Sequence, residues 1–179
     1  MKKYFTLLLL LLSLIKLNAQ STYRVELIDS VDKTKNQIYS DTKMFIAEYW
    51  KSAQNVIQND DKESGMILVK GINIQTREIN VLAPVFPKWT YSYNVKFLMK
   101  DKKFKIIIDN IKCVSANAGT HDWPLIELCD GCEFPGFWET GIKKNDWVNL
   151  MESLKYSINN IANEYEKYIL APSQANSDW

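Results

Sequence analysis

Three cysteines and one histidine are the residues whose types invite metal or redox chemistry. Cys129-Asp130-Gly131-Cys132 lies downstream of Cys113 and His121. Three thiolates and one imidazole form a permitted zinc ligand set. A single C-x-x-C with scattered partners is a weak signal for it, and a thiol pair in an exported chain meets an oxidising environment. A redox dithiol would open a helix, whose dipole lowers a thiol pKa. Here Glu133-Phe134-Pro135-Gly136 follows, and that run does not readily start one. The expectation is a structural disulfide joining Cys113 to Cys129 or Cys132, with one thiol left over and neither metal nor cofactor.

The same stretch displays Trp123, Phe134, Phe137 and Trp138 among Asp122, Glu127, Asp130, Glu133 and Glu139. Aromatic faces beside carboxylates can stack on sugar rings and bond their hydroxyls, which makes the four aromatics ligand-binding candidates. The competing reading is that Trp123 and Trp138 fold back and cap the sheet's free face or a helix end, burial being the commoner use of large aromatics. Glycoside hydrolysis needs two carboxylates held about 5 to 9 Å apart across a cleft. A long loop on a small domain offers little rigid scaffold for that. A Ser-His-Asp hydrolase would have to use His121, and no G-x-S-x-G elbow exists. With no P-loop and no G-x-G-x-x-G, no reaction has all its parts, and the chain reads as a non-catalytic protein.

One acidic run, "NVIQNDDKESGMILVKG" (55–71), raises calcium binding. An EF-hand loop counted from Asp60 places Lys62 at its third position and Gly71 at its twelfth, where a carboxylate is required. The run reads instead as the corner where a helix hands over to a strand, with Asn59, Asp60 and Asp61 ending the helix and Gly65 opening the turn.

The elements that position these groups follow from periodicity. Met1-Lys2-Lys3, the apolar run Phe5 to Ile15 and Leu17-Asn18-Ala19 describe a secretory signal peptide ending at residue 19. The run is shorter than the roughly 20 residues a bilayer span takes, so no membrane span is expected after cleavage. Losing Lys2, Lys3 and Lys16 lowers the basic count from 22 to 19 against 21 acids, taking the net charge from +1 to −2. A slightly acidic chain has no overall pull toward nucleic acid. Residues 20–170 are one domain's worth of chain, and 171–179 read as a frayed tail.

"TYRVELI" alternates as a strand. Thr34 and Gln37 fit a capping box, and an apolar stripe from Ile38 to Ile57 predicts an amphipathic helix of about six turns. "MILVKGINI" starts a strand, and "TREINVLAPVFPK", with two prolines, is an edge strand or a long connection. "WTYSYNVKFLMKDKKFKIIIDNIKCVS" predicts a hairpin turning at Asp101-Lys102. Met99 then faces Phe104, Phe97 faces Ile106 and Val95 faces Ile108, making one face apolar and the other mostly polar. Residues 116–143 are a long irregular loop. Asn145 or Asp146 caps a second helix, with Trp147, Leu150, Leu154, Ile158, Ile161, Tyr165 and Ile169 on its stripe and Pro172 beyond its end.

"IYSDTKMFIAEYW", "VIQNDDKESGMILVKG" and "KFLMKDKKFKIII" resemble domain-of-unknown-function family 4468, over roughly residues 25 to 115. That resemblance implies a TATA-binding-protein-like fold of exported Bacteroidetes proteins, and it transfers no activity and no catalytic residue. The implied fold is α+β: one antiparallel sheet of about five strands with two amphipathic helices on one face, in the order β-α-β-β-β-β-α. Two departures stand out. The hairpin turn is Asp-Lys where the family tends to Asp-Gly, and the loop 116–143 falls outside the shared pattern. The function expected is a binding module of the cell envelope whose partner is an envelope protein or a glycan. A carbohydrate-active hydrolase and a metal or redox site at the C-x-x-C are the alternatives.

Overall fold

The computed structural model describes residues 22–76, 88–116, 126–128, 133, 134, 136 and 143–172. Its order is β1 (Val25–Ser30), α1 (Lys35–Trp50), a one-turn α2 (Ala53–Val56), β2 (Ile57–Asp61), β3 (Met66–Thr76), β4 (Lys88–Lys100), β5 (Lys103–Ala116), the short β6 (Ile126–Glu127) and α3 (Lys144–Leu170). The strands form one antiparallel sheet in the order β1-β5-β4-β3-β2, and β6 also pairs with β5. The α+β fold with its single sheet stands as the sequence predicts.

The hairpin register is also as predicted: Met99 lies opposite Phe104, Phe97 opposite Ile106 and Val95 opposite Ile108. Side chains alternate across a strand, so this register puts the large apolar residues of β4, Leu98 apart, on one face. Tyr91, Tyr93, Val95, Phe97 and Met99 are all buried there. Both long helices cover that face. Tyr165 of α3 is fully buried with its ring 4.7 Å from Phe97 and 5.5 Å from Phe104, and 5.2 Å from Phe45 of α1. One continuous core joins Ile38, Phe45 and Ile46 to the α3 stripe and to the inner face of the sheet.

Close packing fixes two glycines. Gly71 lies opposite Tyr93, and a Cβ there would meet the tyrosine ring at 2.3 Å. That ring lies over the strand, and Trp50 Nε1 donates to its hydroxyl at 3.3 Å. Gly65 turns β2 into β3 at φ +69°, with Met99 N–H donating to its carbonyl at 2.8 Å.

Three boundaries differ from the sequence reading. The capping box of Thr34 and Gln37 is present, but α1 stops at Trp50, where Lys51 adopts the left-handed φ of 56°. Residues 57–61 are therefore not a helix end but an edge strand paired with β3, and the corner is a strand–strand turn over 62–65. A solvated edge strand needs no apolar alternation, so its polar run hid it. Next, α3 begins at Lys144 after Lys143, and Asp146 sits within its first turn, where a carboxylate favours the helix dipole. Lastly, the 116–143 segment is not wholly irregular: Ile126–Glu127 add to the sheet, and Leu128 is buried with its N–H donating to the Ile111 carbonyl at 3.0 Å. The linking run 77–87, residues 1–19 with the expected signal peptide, and the tail 173–179 lie outside the described residues.

Candidate functional site

Because both long helices pack on one side, the other side of the sheet carries no helix among the described residues. Strand register reads off what it presents. One row across the strands runs Ile28, Lys105, Leu98, Met66; the next runs Glu26, Ile107, Lys96, Leu68. Lys105 and Lys96 are thus each flanked along their rows by apolar side chains. Diagonal neighbours on a sheet face lie within reach of each other, so Ile28, Ile107, Leu98 and Leu68 form an apolar zigzag across four strands. Ile107 is 6% exposed yet stands apart from the helix-covered core. Glu26 and Lys96 lie directly opposite it, with Lys105 next along its own face of β5, and Lys side chains can lay their methylenes on apolar surface while the ammonium stays wet.

The charge of this face is lopsided. Arg24, Lys70 and Lys96 lie on it with Lys105, and Lys100, Lys103 and Lys112 stand at its ends. Glu26, Asp109 and Asp61, the last opposite Met66 on the edge strand, are the carboxylates among them. Seven cations against three carboxylates give a net of +4, in a chain whose formal net charge is +1. Glu26 is shared: Lys105 donates to one of its oxygens and Arg24 to the other at 2.9 Å. The Lys105 bond, with Arg24 assisting, holds the Glu26 carboxyl below the usual carboxylate range. Lys70, Lys96, Lys100 and Lys103 make no ion pair among the described residues.

At the β1 end of the face, Thr22, Tyr23, Arg24, Asp109 and Asn110 line a shallow recess of about 430 Å³. It forms where β5 bulges at Asn110, whose φ is 53°, and where β6 gives way to β1 along the same edge. Tyr23 N–H donates to the Leu128 carbonyl at 2.9 Å, and Asn159 of α3 donates to the Tyr23 hydroxyl at 2.6 Å.

The residues singled out from sequence are placed as follows. Phe134 is half-buried, its ring 6.2 Å from Trp147 and packed against the core. Trp123, Phe137 and Trp138 lie outside the described residues, as do His121, Asp122, Cys129, Asp130, Cys132 and Glu139. Cys113 is described only as a backbone position in β5 opposite Tyr91 and Ile126. Among the described residues, no three His, Cys, Asp or Glu side chains gather to hold a metal.

The acidic run is employed structurally. Lys43 and Tyr39 of α1 donate to the two oxygens of Asp60, tying the helix to the edge strand. Burial pushes the Asp60 carboxyl up, but those two bonds outweigh it and hold it below its ordinary value. Burial, with the Asp60 carboxylate beside it, pushes the Tyr39 phenol up to about 12. Asp61 accepts from Ser64 N–H at 3.0 Å and so closes the turn.

What sequence reading missed is the basic open face itself. The signal was present in "NVKFLMKDKKFKIIIDNIK", where five lysines fall on the outward positions of the hairpin. An overall charge near zero concealed it.

A twisted antiparallel sheet with two helices on one side defines a protein of the TBP-like class. Residues 25–113 match the profile described as "Domain of unknown function (DUF4468) with TBP-like fold", and over them the chain belongs to the DUF4468 family. A crystal structure of a DUF4468 family protein from Bacteroides ovatus superposes with a TM-score of 0.64 at 12% identity, covering 88% of this chain and 94% of that one. A TBP-like protein from Parabacteroides distasonis gives 0.58 at 13% identity, covering 90% and 96%. Likeness at such identities establishes the fold alone. No curated protein compared with the chain matches it.

Proposed function

We propose that this chain is an exported, non-catalytic binding module of the cell envelope, and that it meets its partner with the open face of the sheet. The observation that carries this is the one-sided placement of α1 and α3, which leaves an apolar zigzag on the open face beside Lys96 and Lys70, neither of them ion-paired among the described residues. A purely structural outer face needs neither; scattered polar side chains would keep it soluble. Export is supported by the leader pattern of residues 1–19. Mass spectrometry of the protein from its own cells is expected to find an N-terminus at Gln20; a retained Met1 would contradict export.

Photo-crosslinking in those cells tests the docking surface. A crosslinking residue at Leu98 on the open face is compared with one at Tyr156, which is 75% exposed on the outer side of α3. Position 98 is expected to give a discrete adduct that position 156 does not. Equal adducts, or adducts from 156 alone, would remove the open face from the account.

A further inference from the structure

We infer that the occupant of the open face is an acidic amphipathic segment of a partner protein, its apolar side chains on the zigzag and its carboxylates on the flanking lysines. This rests on the open face being the docking surface and goes on to name what docks. Lys96 stands between Ile107 and Leu68 in its row, without a carboxylate partner among the described residues. Covering it with a neutral surface would bury an unpaired ammonium, which costs several kcal/mol. Carboxylates brought by the partner remove that cost and favour encounter through complementary charge.

The apolar part sets the size. From Ile28 to Leu68 the zigzag crosses three inter-strand gaps of ~4.8 Å, or about 14 Å, the reach of two to three helical turns. Other polyanions fit less well. Sheet faces that bind single-stranded nucleic acid carry aromatic side chains for base stacking. The described open-face positions of β1, β3, β4 and β5 carry none. A bilayer surface is met by a continuous protruding apolar patch, whereas the protruding Ile28 and Ile72 stand apart on β1 and β3 and Ile107 at the centre of the zigzag is recessed to 6% exposure.

The test titrates isotope-labelled protein with a synthetic peptide of about 14 residues, leucines at helical spacing and glutamates between them, followed by NMR amide shifts. The comparison probes are its lysine-for-glutamate counterpart, polyglutamate of equal length, phosphatidylglycerol vesicles and a single-stranded oligonucleotide. Shifts clustered on residues 68, 96–98 and 105–107 are expected with the Leu/Glu peptide and not with the others. Lys96→Glu and, separately, Leu98→Asn are each expected to weaken that binding about tenfold with unfolding midpoints within a few degrees of wild type. Polyglutamate, vesicles or oligonucleotide binding as tightly as the Leu/Glu peptide would overturn the inference, as would no binding at all. A discrete crosslink from position 98 alongside such a result would leave the docking surface standing while its occupant falls; loss of both would take the docking surface with it.

Discussion

At the scale of single residues, the fold is secured by polar groups whose partners are distant in sequence. Lys33 is nearly buried and its ammonium donates to three acceptors: Asp41 at 2.8 Å, the Ile169 carbonyl at 2.7 Å and the Ala171 carbonyl at 2.6 Å. That uses all three of its donors, satisfies two orphan carbonyls at the end of α3 and sets a cation where the helix dipole favours one. Lys33→Met removes the ammonium from the buried Asp41 carboxylate and from the two α3 carbonyls, and an expected loss of about 3–5 kcal/mol is read from the urea midpoint. The Thr42 hydroxyl already donates to the Ile38 carbonyl, so its 2.9 Å contact with Tyr165 is a bond it accepts. Asp60 gives an acid-side signature. Its folded-state value lies below its ordinary 3.8, so below about pH 4 the unfolded chain takes up the proton more readily, and stability falls as pH drops. Asp60→Asn is expected to flatten that acid-side decline in denaturation midpoints measured from pH 6 to 3; an unchanged slope would show the Lys43 and Tyr39 bonds idle. None of these bonds was legible in sequence. Lys33 lies in "DSVDKTKNQ", which reads as turn, and its carbonyl acceptors follow more than 130 residues later.

At the scale of elements, period and capping were legible because they are local. Thr34 and Gln37 cap α1, the α3 stripe is buried from Trp147 to Ile169, and the β4–β5 register follows from the only pairing that keeps one face apolar. Missed elements lacked a local signal. The α1 stripe ran on through Val56 and Ile57, yet Lys51 left the helix and residues 57–61 became an edge strand defined by its partner β3. The hairpin turn carries a testable strain. Lys102 sits at φ 62°, the left-handed region that glycine occupies freely and a side chain does not. Its N–H and carbonyl are both used, by the Lys33 carbonyl at 2.9 Å and the Val31 N–H at 3.1 Å, so the turn cannot relax without losing them. Lys102→Gly is expected to relieve about 1–2 kcal/mol of strain, less glycine's greater unfolded freedom, for a net gain near 0.5–1 kcal/mol and a Tm rise of about 1–4 °C. A lower Tm would mean that the lysine makes a contact worth more than the strain.

At the scale of the whole molecule, the sheet separates two jobs. Its inner face, under α1 and α3, holds the apolar core, while its outer face gathers a net +4 around a thin apolar line. The layering was legible in the sequence, since two apolar helical stripes and one uniformly apolar hairpin face have to meet. The charge of the outer face was not, because composition averages it with acids elsewhere and the pairing of distant strands decides which lysines become neighbours. Lysine acetylation footprinting, comparing the purified protein with the protein in its own cells, measures that face directly. If the outer face is the docking surface, Lys70, Lys96 and Lys100 react freely in isolation and are protected in cells, while Lys155 and Lys167 on α3 react alike in both. Equal reactivity of the three outer-face lysines in the two settings, or protection confined to α3, would contradict the account.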